Sequence, residues 1–138
     1  MTKADFEELA DFRYQLRRFL RFSEQATRMM GTTSLQYLLL LHIKGFPTHE
    51  RPTIGDLAER LQAKHHGVVS LVSRCEAAGW VRRNISSRDK RRVEVTLTNE
   101  GSKRLAALAR LHRAELMSRQ AVGFPGLLPG RSPPNLGN

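Results

Sequence analysis

Apolar residues recur three and four positions apart along most of the chain and alternate along one short stretch, and the two periods predict different elements. Phe6, Leu9, Arg13, Leu16, Phe19 or Leu20, and Ser23 trace one side of a helix over residues 5–28. Asp5 is its expected cap, Glu7 and Glu8 complement the dipole of its first turn, and Gly31 ends it. Thr33 caps a second helix over 34–44, in which Leu35, Leu38, Leu39 and His42 share a face and Leu40, Leu41 and Ile43 cover most of the rest. A helix apolar nearly all round belongs at the centre of a fold. Gly45 suits its end, and 46–52, with two prolines, is a loop.

Two shorter helices follow around a tight break at 62–64. The first, 54–61, is capped by Thr53 and buries Ile54, Leu57, Ala58 and Leu61. Asp56 stands where a capping box has Glu or Gln, so that box reads as imperfect. The second, 65–78, places Val68, Leu71, Val72 and Cys75 at i, i+3, i+4 and i+7, a core stripe. Its other face carries His65, His66, Gly67, Val69, Ser70 and Ser73. After Gly79, a strand-like run from Trp80, a polar loop over 84–90 and the alternation of Val93, Val95 and Leu97 with Glu94 and Thr96 read as a hairpin. Thr98 caps a fifth helix expected to reach about Val122, with Leu105, Leu108, Ala109, His112 and Leu116 along one side. Lys103, Arg104, Arg110, Arg113 and Arg119 are expected to keep its other faces wet. Residues 123–138 hold four Gly and four Pro, which predicts an irregular tail.

The expected fold is therefore mainly α with a small β-hairpin wing: a winged helix-turn-helix at 53–101, inside one domain over 1–122. That layout offers one helix to a major groove of duplex DNA and a hairpin to phosphates or a neighbouring groove. Charge agrees with the placement. The 138 residues carry a net charge of +10 and a pI near 11.0. From Arg60 to Arg92 nine basic side chains face two acids, so seven of the ten net positive charges fall in 33 residues. A focused patch is an electrostatic footprint for a polyanion, where dispersed charge would mean only solubility.

Candidate chemistry follows from type and position. In the fourth helix, Ser70 and Ser73 can bond base edges or phosphates, Val69 can touch a thymine methyl, and Gly67 permits close approach. His65 and His66 point about 100° apart, so they cannot read one base together. Thr53, Lys64 and Arg74 flank that surface, and Arg88, Lys90 and Arg91 tip the wing. The aromatic first helix (Phe6, Phe12, Tyr14, Phe19 and Phe22) has apolar surface to spare, for the core or for a second subunit. Phe19, Phe22, Tyr37 and His42 are compatible with an effector pocket between subdomains and equally with core packing.

Other classes find little support. There is no Walker lysine loop, G-x-S-x-G, H-E-x-x-H or C-x-x-C, so nothing argues for an enzyme or a cofactor. Glu24, His42 and His112 are the residues a zinc site would use, but Leu108 stands where a helpful second histidine would be, and no metal is expected. Cys75, the single cysteine, sits on the core stripe and reads as an inert thiol. The start of the chain has no apolar signal region, and 37–41 is too short to span a bilayer, so a cytoplasmic protein without membrane contact is expected.

These residues resemble the MarR family of transcriptional regulators. The matching stretches are TSLQYLLLLHIKG, TIGDLAERL, HHGVVSLVSRCEAAGWV and DKRRVEVTLTNEG, the last fitting the wing signature D-x-R followed by L-T-x-x-G. The resemblance implies a homodimer, with the first and fifth helices (5–28 and 98–122) as dimerisation helices. It also implies a repressor on a pseudo-palindromic operator, released by small aromatic compounds, and a wing Asp, here Asp89, that orients a wing Arg, here Arg91. The chain departs from the family pattern in three places. Ser73 replaces a frequent Asp and removes the salt bridge that Asp makes, Cys75 replaces a Leu, and the Gly/Pro-rich tail stands where a final dimerisation helix is usual. Two other classes stay open: an interaction protein that pairs with another regulator without binding DNA, and a nonspecific DNA-coating protein.

Overall fold

The computed structural model describes residues 1–119. Seven elements follow in order: α1 (Lys3–Met29), α2 (Ser34–Lys44), α3 (Ile54–Leu61), α4 (His65–Ala77), β1 (Val81–Ile85), β2 (Val93–Leu97) and α5 (Asn99–Arg119). Helix, turn, helix and a two-stranded hairpin, with helices before and after, form a winged helix-turn-helix. The expected end of α5 near Val122 and the expected tail at 123–138 lie outside the described residues.

Three helices begin with reciprocal caps. Thr2, not Asp5, caps α1: its hydroxyl accepts from the Asp5 N–H, and the Asp5 carboxylate accepts from the Thr2 N–H. Asp5 is thus the third residue of a box, and the helix starts before the predicted point, at Lys3. The Asp5 carboxyl pKa is lowered by the hydrogen bond from the Thr2 N–H and, secondarily, by the Thr2 side chain. Thr33 and Gln36 close the same box on α2. Thr53 and Asp56 close it on α3, so the shorter aspartate does the work expected of Glu or Gln. The break between α3 and α4 turns at Gln62, whose φ of 51° is left-handed and uncommon for a side chain of this size.

The core lies where α2, α3, α4, α5 and the hairpin meet. Leu39, Leu40, Leu57, Val68, Val72, Cys75, Val81, Val95 and Leu108 are fully buried. Helix α2 touches α1, α3, α4, α5 and β2 and is central, as its composition predicted. Its buried face differs from the prediction, however. Tyr37, Leu39, Leu40 and Ile43 point inward, while Leu35 and Leu38 are exposed. Among leucines the periodic pattern cannot rank the faces, and the aromatic ring of Tyr37 takes the position against α5.

Strands β1 and β2 pair antiparallel from Val81 opposite Leu97 to Ile85 opposite Val93. Ile85 belongs to β1, so the wing loop starts later than predicted. The segment before α3 joins the hairpin edge: Thr53 bridges Glu94, and Val95 donates to the Pro52 carbonyl at 2.9 Å. The wing is thereby tied to the start of the helix-turn-helix.

The L-T-x-x-G signature acquires a physical meaning at the start of α5. The Thr98 hydroxyl accepts from the Gly101 N–H at 3.1 Å and lies 2.5 Å from the Gly79 carbonyl, to which it donates. The Thr98 N–H donates to the Trp80 carbonyl. Helix α5 therefore crosses directly over the Gly79–Trp80 backbone, and a Cβ at Gly101 would fall 2.0 Å from the Trp80 carbonyl oxygen. Gly79 ends α4 with a φ of 83°, where glycine has no steric penalty. Arg104 is not left in solvent as predicted. Its guanidinium stacks 4.3 Å over the Trp80 ring and donates to the Met30 carbonyl and to Thr32 Oγ1, pinning α5 to the α1–α2 junction.

Helix α1 divides in two. Residues 1–14 are all exposed, including Phe6, Leu9, Phe12 and Tyr14, whereas Gln15, Ala26 and Thr27 are buried. Only its second half covers the core. No helix among the described residues is long and apolar enough to cross a membrane.

Candidate nucleic-acid interface

The core stripe of α4 turns its opposite face outward. Val68, Leu71, Val72 and Cys75 are buried, and His65, His66, Gly67, Val69, Ser70, Ser73 and Arg74 are exposed, as is Lys64 at the helix cap. Beside this face lies a cleft of about 510 Å³. Thr53, Ile54 and Gly55 from the start of α3 form one wall, His65 and Val69 of α4 another, and Arg83, Arg91, Arg92 and Val93 of the wing the third. Three arginines and a histidine line it, with no carboxylate. Of the predicted contact residues it gathers Thr53, His65, Val69 and Arg91. Arg74 lies elsewhere, lining a hollow with Thr33, Ser34 and Gln36 at the start of α2. Arg88 and Asp89 face a separate polar hollow with His49, Glu50 and Arg92. Lys90 is exposed at the wing tip.

The two serines on the outward face of α4 are already engaged. Ser70 donates to the His66 carbonyl one turn back, at 3.2 Å. Ser73 Oγ accepts from Arg83 Nη2 at 2.5 Å. The same Nη2 reaches the Val69 carbonyl at 3.0 Å, Arg83 Nη1 lies 3.7 Å from Glu76 Oε1, and the Arg83 N–H donates to Glu76 Oε2 at 2.9 Å. Ser73 itself makes no salt bridge, and the ion pair between α4 and β1 is that of Glu76 with Arg83. Arg83 was not among the predicted site residues. Its signal was the Arg82-Arg83 pair on a strand: alternation sends one to solvent and the other to the helix.

Charge pairing thins the basic patch unevenly. Arg92 is bound by Glu50 at 3.3 Å and Glu94 at 3.4 Å. Arg91 Nε lies 3.5 Å from Asp89 Oδ1, the same oxygen that accepts from the Arg91 N–H at 3.0 Å. Arg60, Lys64, Arg74, Arg82, Arg88 and Lys90 make no ion pair among the described residues, so these charges face solvent.

A second cavity, about 430 Å³, opens between α1, α2 and α5. Phe19 and Tyr37 line it as predicted, together with Ser23, Glu24, Leu38, Leu41 and His112. Phe22 meets the His112 ring edge-on, with centroids 5.8 Å apart. His42 does not line the cavity. It is half-buried elsewhere on α2, its pKa lowered by burial and by the nearby Arg60 charge. His112 occupies the place proposed for it, stacked on Tyr37 with centroids 4.2 Å apart. Its Nδ1 is 2.7 Å from the Leu108 carbonyl, which can only accept, so Nδ1 carries a proton. In the neutral ring Nε2 then accepts from the Ser23 hydroxyl, 2.7 Å away. With both nitrogens used and Glu24 bound to Arg28 at 2.8 Å, no group of three His, Cys, Asp or Glu side chains gathers for a metal among the described residues.

A central α2, a capped helix-turn-helix and a hairpin bridged to its entry define a winged-helix fold. Residues 30–92 match the model of the MarR family. Among solved structures, the chain is similar to MepR, the transcription regulator of the Staphylococcus aureus multidrug efflux pump MepA. The identity is 19% and the TM-score 0.72, over 88% of this chain and 84% of that one. The S. aureus MepR–DNA complex matches at 22% identity and a TM-score of 0.62, over 80% and 88%. AbsC, a MarR family transcriptional regulator from Streptomyces coelicolor, matches at 20% and 0.70, over 88% and 79%. Among curated proteins, none matches the chain by sequence.

Proposed function

We propose that this chain is a sequence-specific transcriptional regulator that binds duplex DNA, acts as a repressor on a pseudo-palindromic operator as a homodimer, and is released by a small aromatic effector. The observation that carries the reading is the cleft where the exposed face of α4, the start of α3 and the wing arginines converge without a carboxylate. Such a surface takes a phosphate backbone at its cationic walls and base edges at α4. MepR, which shares the fold, has been solved with DNA. The exposed Phe6, Leu9, Phe12 and Leu20 of α1 and Leu111 and Met117 of α5 support pairing through these two helices. The cavity under Tyr37 and His112, apolar with a few polar groups, supports an aromatic ligand.

The test is selection of duplexes from a randomised pool, followed by sedimentation of the complex and transcription in vitro from a promoter carrying the selected site. Two chains per duplex, two related half-sites and lower transcript are expected. Failure to enrich any sequence would overturn the sequence-specific reading, and unchanged or increased transcript would overturn the repressor.

A further inference from the structure

We infer that Val69 reads the C5-methyl group of a thymine, and that this apolar contact is the leading base-specific interaction of α4. The inference rests on the duplex-binding reading above and deepens it by naming what the helix recognises. Direct readout in the major groove uses forked Arg, Lys, Asn or Gln side chains on purines, or apolar contact with the thymine methyl. The outward face of α4 from His65 to Ser73 has none of those four residue types. Arg74, the one long cation within α4, lies beside the start of α2.

The remaining polar groups are partly spent. Ser70 gives its proton to the His66 carbonyl, and Ser73 Oγ is held by Arg83. Val69 is the one large apolar side chain exposed on α4, with 37% of its surface open. Its position is set from behind, because Arg83 Nη2 holds the Val69 carbonyl at 3.0 Å and so ties this turn to β1. Two residues earlier, a Cβ at Gly67 would meet no heavy atom within 4 Å, so nothing of the chain stands in the way of a base edge there. Arg83, Arg91 and His65 share the cleft with Val69. A rim of arginine and histidine side chains around an apolar point is complementary to a methyl group flanked by phosphates.

The experiment uses the full chain and a duplex enriched from a randomised pool, in which each thymine is replaced in turn by uracil. That exchange removes the methyl group and leaves the hydrogen-bonding edge intact. The wild-type protein is expected to lose about four-fold in affinity at one thymine per half-site, the effect of one buried methyl. Val69→Ser is expected to be indifferent to the same replacement, and Val69→Ile to retain the preference. Unchanged melting temperatures will show that both variants fold. Wild-type indifference to uracil at every position overturns the inference while leaving duplex binding intact. An equal loss in Val69→Ser overturns it as well, by placing the methyl contact on another residue. A pool from which nothing enriches overturns the specific-binding reading itself and takes the inference with it.

Discussion

Arg83 and Ser73 meet at 2.5 Å across the junction of wing and helix, where a guanidinium from β1 takes the hydroxyl of α4 as its acceptor. The same guanidinium holds the Val69 carbonyl and approaches Glu76. One side chain thus sets how the hairpin leans on the helix. Arg83 is a brace, although in composition it counts with the basic patch.

Replacing Arg83 by Ala is accordingly expected to lower stability by about 1–2 kcal/mol. That is less than a fully buried charged network would cost, because the side chain is partly open to solvent. Urea unfolding measures it. A stability equal to wild type would show that the brace does not hold the wing.

Gly101→Ala tests the crossing of α5 over Trp80. The added Cβ would overlap a backbone carbonyl, which cannot swing aside as a side chain can. A loss of about 3 kcal/mol is expected. A melting temperature within a degree of wild type would mean that the crossing is looser than the geometry shows.

Asp89 separates positioning from bulk charge. Asp89→Ala raises the net charge by one, and a purely electrostatic footprint would then bind duplexes more tightly. The Asp89 carboxylate, however, holds Arg91 at both its N–H and its Nε. Weaker binding is expected despite the added charge, read by fluorescence anisotropy at fixed salt. Tighter binding would refute the positioning role.

Cys75 gives a pH test. Burial raises its thiol from 9.0 to about 11, only partly offset by the Arg74 charge. The folded state then holds this proton more strongly than the unfolded chain does. Its contribution to stability is complete below about pH 9 and is lost as pH rises from 9 toward 11. Cys75→Ala is expected to flatten that part of the stability profile. The native thiol is also expected to resist alkylation at pH 8, and rapid labelling without unfolding would contradict its burial.

How much of this was legible beforehand depended on the range of the interaction. Helices α2, α3 and α4 could be bounded nearly to the residue, since Thr33, Thr53 and the Val68–Cys75 stripe act within one or two turns. The start of α1 was misplaced by local chemistry of the same kind, because Asp5 can serve as a cap or as the third residue of a box begun by Thr2. Long-range partners left no periodic trace. Arg104 finds Met30 and Thr32, and His112 finds Ser23 and Tyr37, only after α5 has packed. For that reason His42 was named for the cavity and His112 was not, and Arg104 was assigned to solvent. The exposed face of α4 could be listed residue by residue, but which of Arg82 and Arg83 engages it could not.

The central claim, that the wing and α4 form a duplex-binding surface, is tested most directly by the salt dependence of binding. Affinity for a selected duplex would be measured between about 50 and 200 mM salt for wild type and for the variant Arg88→Ala, Lys90→Ala, Arg91→Ala. If both wings of a dimer use these three cations, log K should fall against log salt with a slope of about −5 or steeper, and the triple variant should lose most of that slope. Equal slopes in the two proteins, or no duplex binding by wild type at about 150 mM salt, would contradict the account.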